Sequence, residues 1–290
     1  MKKILITGAT GFIGNYVVEE MLNHDVEIIA TSSNEEKAKQ SSWSAKVKYV
    51  PFDFKQFNPA INYFDLFYEP DILIHLAWEG LPNYKSSFHT EINLPRHKAL
   101  FENLIQHGLK NITITGTCLE YGMREGCLSE DMPAHPSNPY ATAKNELRKS
   151  IEQLQQQFSF SFKWIRLFYM YGKGQNSNAL LSQLDNALKN GAAIFNMSGG
   201  EQTRDYLPVE KVAEYIVQIS SQKNIEGIIN CCSGIPVTVK KFVEDYLKIT
   251  GKSVKLNLGY YPYTDYEPMH FWGSTSKLSK ALAEYNPSLF

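Results

Sequence analysis

A tyrosine followed four residues later by a lysine, in Asn138-Pro139-Tyr140-Ala141-Thr142-Ala143-Lys144, puts a phenol and an ammonium on one face of a helix. Pro139 suits a first helical position and Asn138 an N-cap, so Tyr140 and Lys144 fall in the first turns. A phenol with an ordinary pKa of roughly 10 exchanges protons poorly near neutrality. A neighbouring ammonium favours the phenolate, lowers that value and turns the pair into a general acid/base. The spacing is also common on plain surface helices, and it signifies chemistry only where other groups converge on it.

A second group is the glycine turn. Thr7-Gly8-Ala9-Thr10-Gly11-Phe12-Ile13-Gly14 follows the apolar run at 3 to 7 and opens a helical stretch from Phe12 to about Asn23. Gly8, Gly11 and Gly14 allow a sharp strand-to-helix turn, close approach of backbone to a pyrophosphate, and a helix seated directly on a sheet. The helix start then aims free N–H groups and its dipole at the phosphates. Thr10, Phe12 and Ile13 belong to the same cofactor-binding turn. The next apolar run, 26 to 30, is followed by Thr31, Ser32 and Ser33 with no acid to take the ribose 2′-hydroxyl of NAD. Hydroxyls there, with Lys37 one turn on, would accept a 2′-phosphate, so NADP(H) is favoured over NAD(H).

Positioning these groups requires a scaffold. Apolar runs at 3 to 7, 26 to 30, 47 to 50, 71 to 77, 111 to 115 and 163 to 167 alternate with longer segments. Residues 88 to 107 and 139 to 158 carry helical periodicity. This pattern predicts the α/β class: a doubly wound parallel sheet with helices on both faces. Thr115 and Thr117 fall at the carboxyl end of the fifth strand, the edge where such sheets place ligands. Beyond 168, loops rich in aromatics and prolines, including "GYYPYTDYEPMHFWG", suit a smaller C-terminal domain over a ligand cleft. The expected division is a dinucleotide-binding domain at 1–168, with 200–232 returning to it, and a mainly substrate-binding domain at 169–290.

The 290 residues are 43% hydrophobic, enough for a sizeable core, and carry 29 basic against 30 acidic residues. A net charge of −1 argues against nucleic acid or an anionic membrane as partner, and no run spans a bilayer. Cys118, Cys127, Cys231 and Cys232 lack zinc spacings, so no metal is expected, and reduced thiols in a cytoplasm are.

Taken together, these residues resemble the extended short-chain dehydrogenases/reductases of the nucleotide-sugar epimerase, dehydratase and reductase group. Thr7 to Gly14 matches the TGxxGFIG fingerprint, Tyr140 and Lys144 match the catalytic pair, and Thr117, five residues before Gly122, matches the active-site Ser/Thr. The resemblance implies that Asp53, followed by Phe54, lies near the adenine. It also sets Leu76 and Ala77 of "HLA" along the cofactor, and Asn93 as a structural asparagine. Arg204, in "RDYLPV", would grip a sugar-nucleotide diphosphate, with a buried structural arginine as the alternative. In "RLFYMYG" Tyr169 replaces the group's usual asparagine.

The dehydratases of this group carry Asp-Glu directly after the active-site threonine. Here Cys118 and Leu119 stand in those positions and, with Thr117, Tyr169 and Arg204, complete the expected substrate contacts. Similarity to bacterial dTDP-4-keto-6-deoxyhexose reductases implies NADPH-dependent reduction at C4 of a nucleotide sugar, giving a 6-deoxyhexose for surface polysaccharide. The alternative is an NDP-hexose 4-epimerase holding NAD tightly. The same resemblance implies a homodimer paired through the helices at 88 to 107 and 139 to 158.

Overall fold

The computed structural model describes residues 1–287. In chain order its elements are β1 (Lys2–Thr7), α1 (Phe12–Met21), β2 (Val26–Ser32), α2 (Glu35–Lys39), β3 (Lys48–Pro51), α3 (Tyr63–Leu66), β4 (Ile72–His75), a π-helical turn at His89–Asn93 running into α4 (Leu94–Gln106), β5 (Asn111–Thr117), β6 (Gly126–Leu128), α5 (Pro139–Leu154), β7 (Ser161–Leu167), β8 (Tyr169–Tyr171), α6 (Leu180–Lys189), β9 (Ile194–Asn196), β10 (Thr203–Pro208), α7 (Val209–Ser221), β11 (Gly227–Cys231), β12 (Pro236–Thr238), α8 (Val239–Thr250), β13 (Lys255–Asn257), β14 (Phe271–Gly273) and α9 (Ser276–Ala283).

Seven strands pair in parallel in the order β3-β2-β1-β4-β5-β7-β11. Strand residues alternate between the faces, so both faces must be apolar to be covered. Ile4, Ile6, Ile28, Ile72 and Ile74 pack under α1, α7 and α9, while Leu5, Ile29, Leu73, Ile112 and Ile114 pack under α4 and α5. The strand order reverses between β1 and β4, which opens a crevice at their carboxyl ends. In register, Thr7 pairs with Thr31 and with His75, and His75 with Ile114. Strand β5 therefore runs three residues past that level and carries Thr117 out beside the crevice.

The α/β doubly wound sheet matches the expectation, with adjusted boundaries. The first helix stops at Met21, and the helix expected to reach 158 stops at Leu154, with Gln155, Gln156 and Gln157 falling in a turn. The 88–107 segment begins as a π turn in which Asn93 Nδ2 donates to the Glu79 carbonyl (2.8 Å). Short strands, all but β6 lying after β7, form three small sheets: β8-β10-β12, β9-β13 and β6-β14. Leu181, Leu184, Phe195, Val243 and Leu247 form a separate core there. Buried Asp205 ties β10 to this region by accepting from the backbone N–H groups of Ser233, Gly234 and Gly273. Among the described residues no helix is long and apolar enough to cross a membrane.

Candidate active site

The turn after β1 is built for a close ligand. Gly8 has φ +71°, and a Cβ on it would meet the Ala77 backbone at 2.8 Å. A Cβ on Gly14 would stand 2.1 Å from the Gly8 carbonyl oxygen, so α1 seats on the turn only with glycine there. Gly11 is the N-cap of α1 and no side chain caps that end, which leaves helix N–H groups to a ligand.

A cleft runs from this turn past the end of β2 to the segments after β3 and β4. Gly8, Thr10, Gly11, Thr31, Ser32, Ser33, Asp53, Phe54, Leu76 and Ala77 all line it, so ten of the expected cofactor contacts converge. Phe12 instead faces Tyr16 and the Gly172–Gly174 turn, and Ile13 lines the neighbouring cavity. The Thr31 hydroxyl is buried without a partner, whereas Ser32 Oγ lies 3.0 Å from the Tyr49 hydroxyl. Asp53 Oδ1 accepts from the Lys55 amide (2.8 Å), which fixes the carboxylate at the cleft. These groups fit a dinucleotide: a glycine cradle that side chains would fill, unsatisfied polar atoms and an apolar wall.

Thr7 and His97 also line the cleft, and buried His75 bridges them. Thr7 Oγ1 lies 2.8 Å from His75 Nδ1, and His75 Nε2 lies 2.9 Å from His97 Nδ1. His75 is therefore a packed strand residue. Burial pushes both imidazoles well below their ordinary pKa, helped by the nearby Lys144 charge and, for His97, by His75.

Asn138 caps α5 by accepting from the Ala141 amide (2.9 Å), and Pro139 is the first helical residue. Tyr140 is 7% exposed and its phenol reaches the Thr117 side chain. Rings of Trp78, Tyr84 and His89 lie 6.0, 5.4 and 5.3 Å from its own. Lys144 donates to the Thr115 carbonyl (2.9 Å), and the Thr115 hydroxyl turns to the His75 carbonyl, so Thr115 offers the cavity no hydroxyl.

The electrostatics correct one expectation. Burial, then Tyr84, Glu120 and Cys118, raise the Tyr140 pKa, and the Thr117 hydrogen bond only partly opposes them. Lys144 is itself pulled down to about 7 by burial, against the favourable pull of Glu120. The spacing placed the two groups correctly, but desolvation of both outweighs the effect of one charge on the other.

A second cavity adjoins Tyr140. Ile13, Thr117, Cys118, Leu119, Phe168 and Tyr169 line it, with Tyr84 and Glu267. Arg204 does not line it. It is 4% exposed, donates to the Thr203 and Met269 carbonyls, and ion-pairs with Glu267 at 3.0 Å. The rings of Phe271 and Tyr169 lie 4.6 and 5.6 Å from its guanidinium. The cavity thus presents a carboxylate that the arginine holds in place.

Sequence reasoning also missed the support beneath Thr117. Glu120 is fully buried and accepts from the Thr117 amide (2.9 Å), the Trp164 indole (2.9 Å) and Arg166 Nε (2.9 Å). Gly116 leaves room for this, since a Cβ there would stand 2.1 Å from Trp164 Nε1. The signal was present in Thr117-Cys118-Leu119-Glu120, a T-x-x-E capping box that forms in the structure.

Comparison with known proteins fixes the class. Residues 4–232 match the NAD dependent epimerase/dehydratase family, and the chain belongs to it. It is thus an enzyme of a family of nicotinamide-dependent oxidoreductases acting on nucleotide sugars. The chain is 29% identical over 279 residues to dTDP-6-deoxy-L-talose 4-dehydrogenase (NAD(+)) of Aggregatibacter actinomycetemcomitans, covering 93% of this chain and 99% of that one. It is 23% identical over 264 residues to dTDP-4-dehydro-6-deoxyglucose reductase of Escherichia coli, covering 87% and 83%. Its fold is shared with UDP-glucuronic acid 4-epimerase from Bacillus cereus in complex with UDP-glucuronic acid and NAD, at TM-score 0.82, 22% identity and coverage of 97% and 93%.

Proposed function

We propose that the protein reduces the C4 keto group of a dTDP-linked 4-keto-6-deoxyhexose with NADPH, giving a dTDP-6-deoxyhexose for surface polysaccharide. The observation that carries the reading is the buried Tyr140 phenol, set against Thr117 in a cavity whose wall is Cys118, Leu119 and Phe168. A phenol raised by burial stays protonated at neutral pH and serves as the acid that a forming alkoxide needs. Two relatives are named for redox chemistry at position 4 of dTDP-6-deoxy sugars, which supports the substrate class.

In this reading the bound dinucleotide supplies the hydride. Thr117 orients the substrate carbonyl, Tyr140 gives its phenolic proton to the oxygen, and Lys144 serves the nicotinamide ribose. Cys118 and Leu119 offer an apolar wall to the 6-methyl group and no acid/base pair for loss of water. The substrate pocket is completed by Tyr169, with Arg204 acting through Glu267. The NADPH preference is supported by the hydroxyl-lined end of β2, where no carboxylate stands between Thr31 and Asn34.

The test is a panel of dTDP- and UDP-4-keto sugars, followed at the NADPH absorbance band with NMR of the product. Reduction at C4 with NADPH consumed, and its loss in Tyr140→Phe while cofactor still binds, is the expected result. Product formed without NADPH consumption would replace the reading with a 4-epimerase, and preferential use of NADH would overturn the cofactor assignment.

A further inference from the structure

Lys144 is 2% exposed, so its ammonium has lost its water and needs partners within the protein. One is the Thr115 carbonyl at 2.9 Å. Another is the ring of Trp78, whose centre lies 4.2 Å from Nζ. We propose that Trp78 is the positioning residue for Lys144: its indole face binds the ammonium and fixes its place in the acid/base pair. This role rests on the assignment of Tyr140 and Lys144 as that pair.

The groups facing Lys144 leave Trp78 an uncommon share of the work. Glu120 attracts the ammonium, but its carboxylate is already engaged by Thr117, Trp164 and Arg166. His75 and His97 are held neutral by burial, and His89 is lowered by burial and by Lys144 itself. Tyr140 stays protonated. Among the described residues, then, the carboxylate that acts on Lys144 is already shared three ways, and the negative face of an aromatic ring adds to it without a charge of its own.

Trp78 is held to that task. Its Nε1 donates to His89 Nδ1 (3.1 Å), and His89 Nε2 lies 2.9 Å from the Asn83 carbonyl. Since the carbonyl only accepts, Nε2 carries the imidazole proton and Nδ1 is free to accept from the indole. His97 stacks on Trp78 at 4.6 Å and 22°, and the Tyr140 ring meets it edge to face at 6.0 Å. One half-buried ring thus touches both members of the pair and also lines the dinucleotide cleft.

The test compares Trp78→Phe, which keeps a weaker π face, with Trp78→Leu, which removes it; Trp78→Met replaces the latter if Leu does not fold. The protein is labelled with 13C-lysine, and the Cε resonance of Lys144, assigned by its loss in Lys144→Met, is titrated. A midpoint near 7 in the parent, about one pH unit lower in the aliphatic variant and intermediate in Trp78→Phe is expected. The alkaline limb of the pH profile for keto-sugar reduction should move with it. Coincident midpoints, or a Phe variant shifted as far as the aliphatic one, overturn the proposal. The expected midpoint shifts in the variants, together with a parent that turns over no keto sugar, would refute the functional reading and leave the Trp78 coupling intact.

Discussion

Glu120→Ala should destabilise the fold by about 3 to 5 kcal/mol, the cost of leaving one half of a buried ion pair without its partner. The structure explains why the effect is this large. Arg166 has 1% and Glu120 0% side-chain exposure, so water does not replace the missing carboxylate. Three donors lose their acceptor together: the Thr117 amide, the Trp164 indole and Arg166 Nε. Each such loss costs roughly 1 to 3 kcal/mol when buried. Arg166 Nη1 already lacks a partner and has no slack to absorb the change. At roughly 2 to 4 °C per kcal/mol for a large domain, the melting temperature should fall by about 10 °C. The assay is a denaturant titration of the parent, Glu120→Ala, Arg166→Met and a Glu120→Leu, Arg166→Met double variant. Apolar replacement of both partners should recover the part of the loss that comes from the unpaired charge, while the Thr117 amide and the Trp164 indole stay without their acceptor. A single variant within about 1 kcal/mol of the parent, or strictly additive effects, would refute the idea that Thr117 rests on a buried charge network.

Two further outcomes follow from the site. Gly14→Ala should lose dinucleotide binding by fluorescence titration, because its methyl would stand 2.1 Å from the Gly8 carbonyl oxygen and lift α1 off the turn; unaltered affinity would contradict the cradle. Native protein should show one fast thiol toward a disulfide reagent at pH 8. Cys127 is exposed while burial raises the pKa of Cys118, Cys231 and Cys232. Cys127→Ser should abolish the fast phase, and the remaining thiols should react only on unfolding.

What could be read from sequence was whatever short-range pattern encodes. Alternating Ile4, Leu5 and Ile6 announce a strand covered on both faces, and the glycine turn and the Tyr140 and Lys144 spacing are local geometries. Strands β8 to β14 are mostly three residues long, too short for periodicity to register. The Arg204 and Glu267 pair joins residues 63 apart in sequence, and the Trp78 and Lys144 contact joins β4's exit to α5; neither has a local signature. The direction of the Tyr140 shift failed for a related reason. Sequence shows which charges are near along a helix, but the water each group loses is set by Trp78, Tyr84 and His89 arriving from other segments.

Strand β11 pairs with β7 through Gly227 opposite Lys163 and Cys231 opposite Leu167, after the chain has passed through α6, the small sheets and α7. A ribosome that has released only the first 168 residues therefore presents a sheet with a bare rim along β7, rich in Phe162, Trp164 and Ile165, which would readily recruit another nascent strand. Gene fragments cut at that point should accumulate as insoluble material. Those carried through residue 231 include the segment that closes the rim.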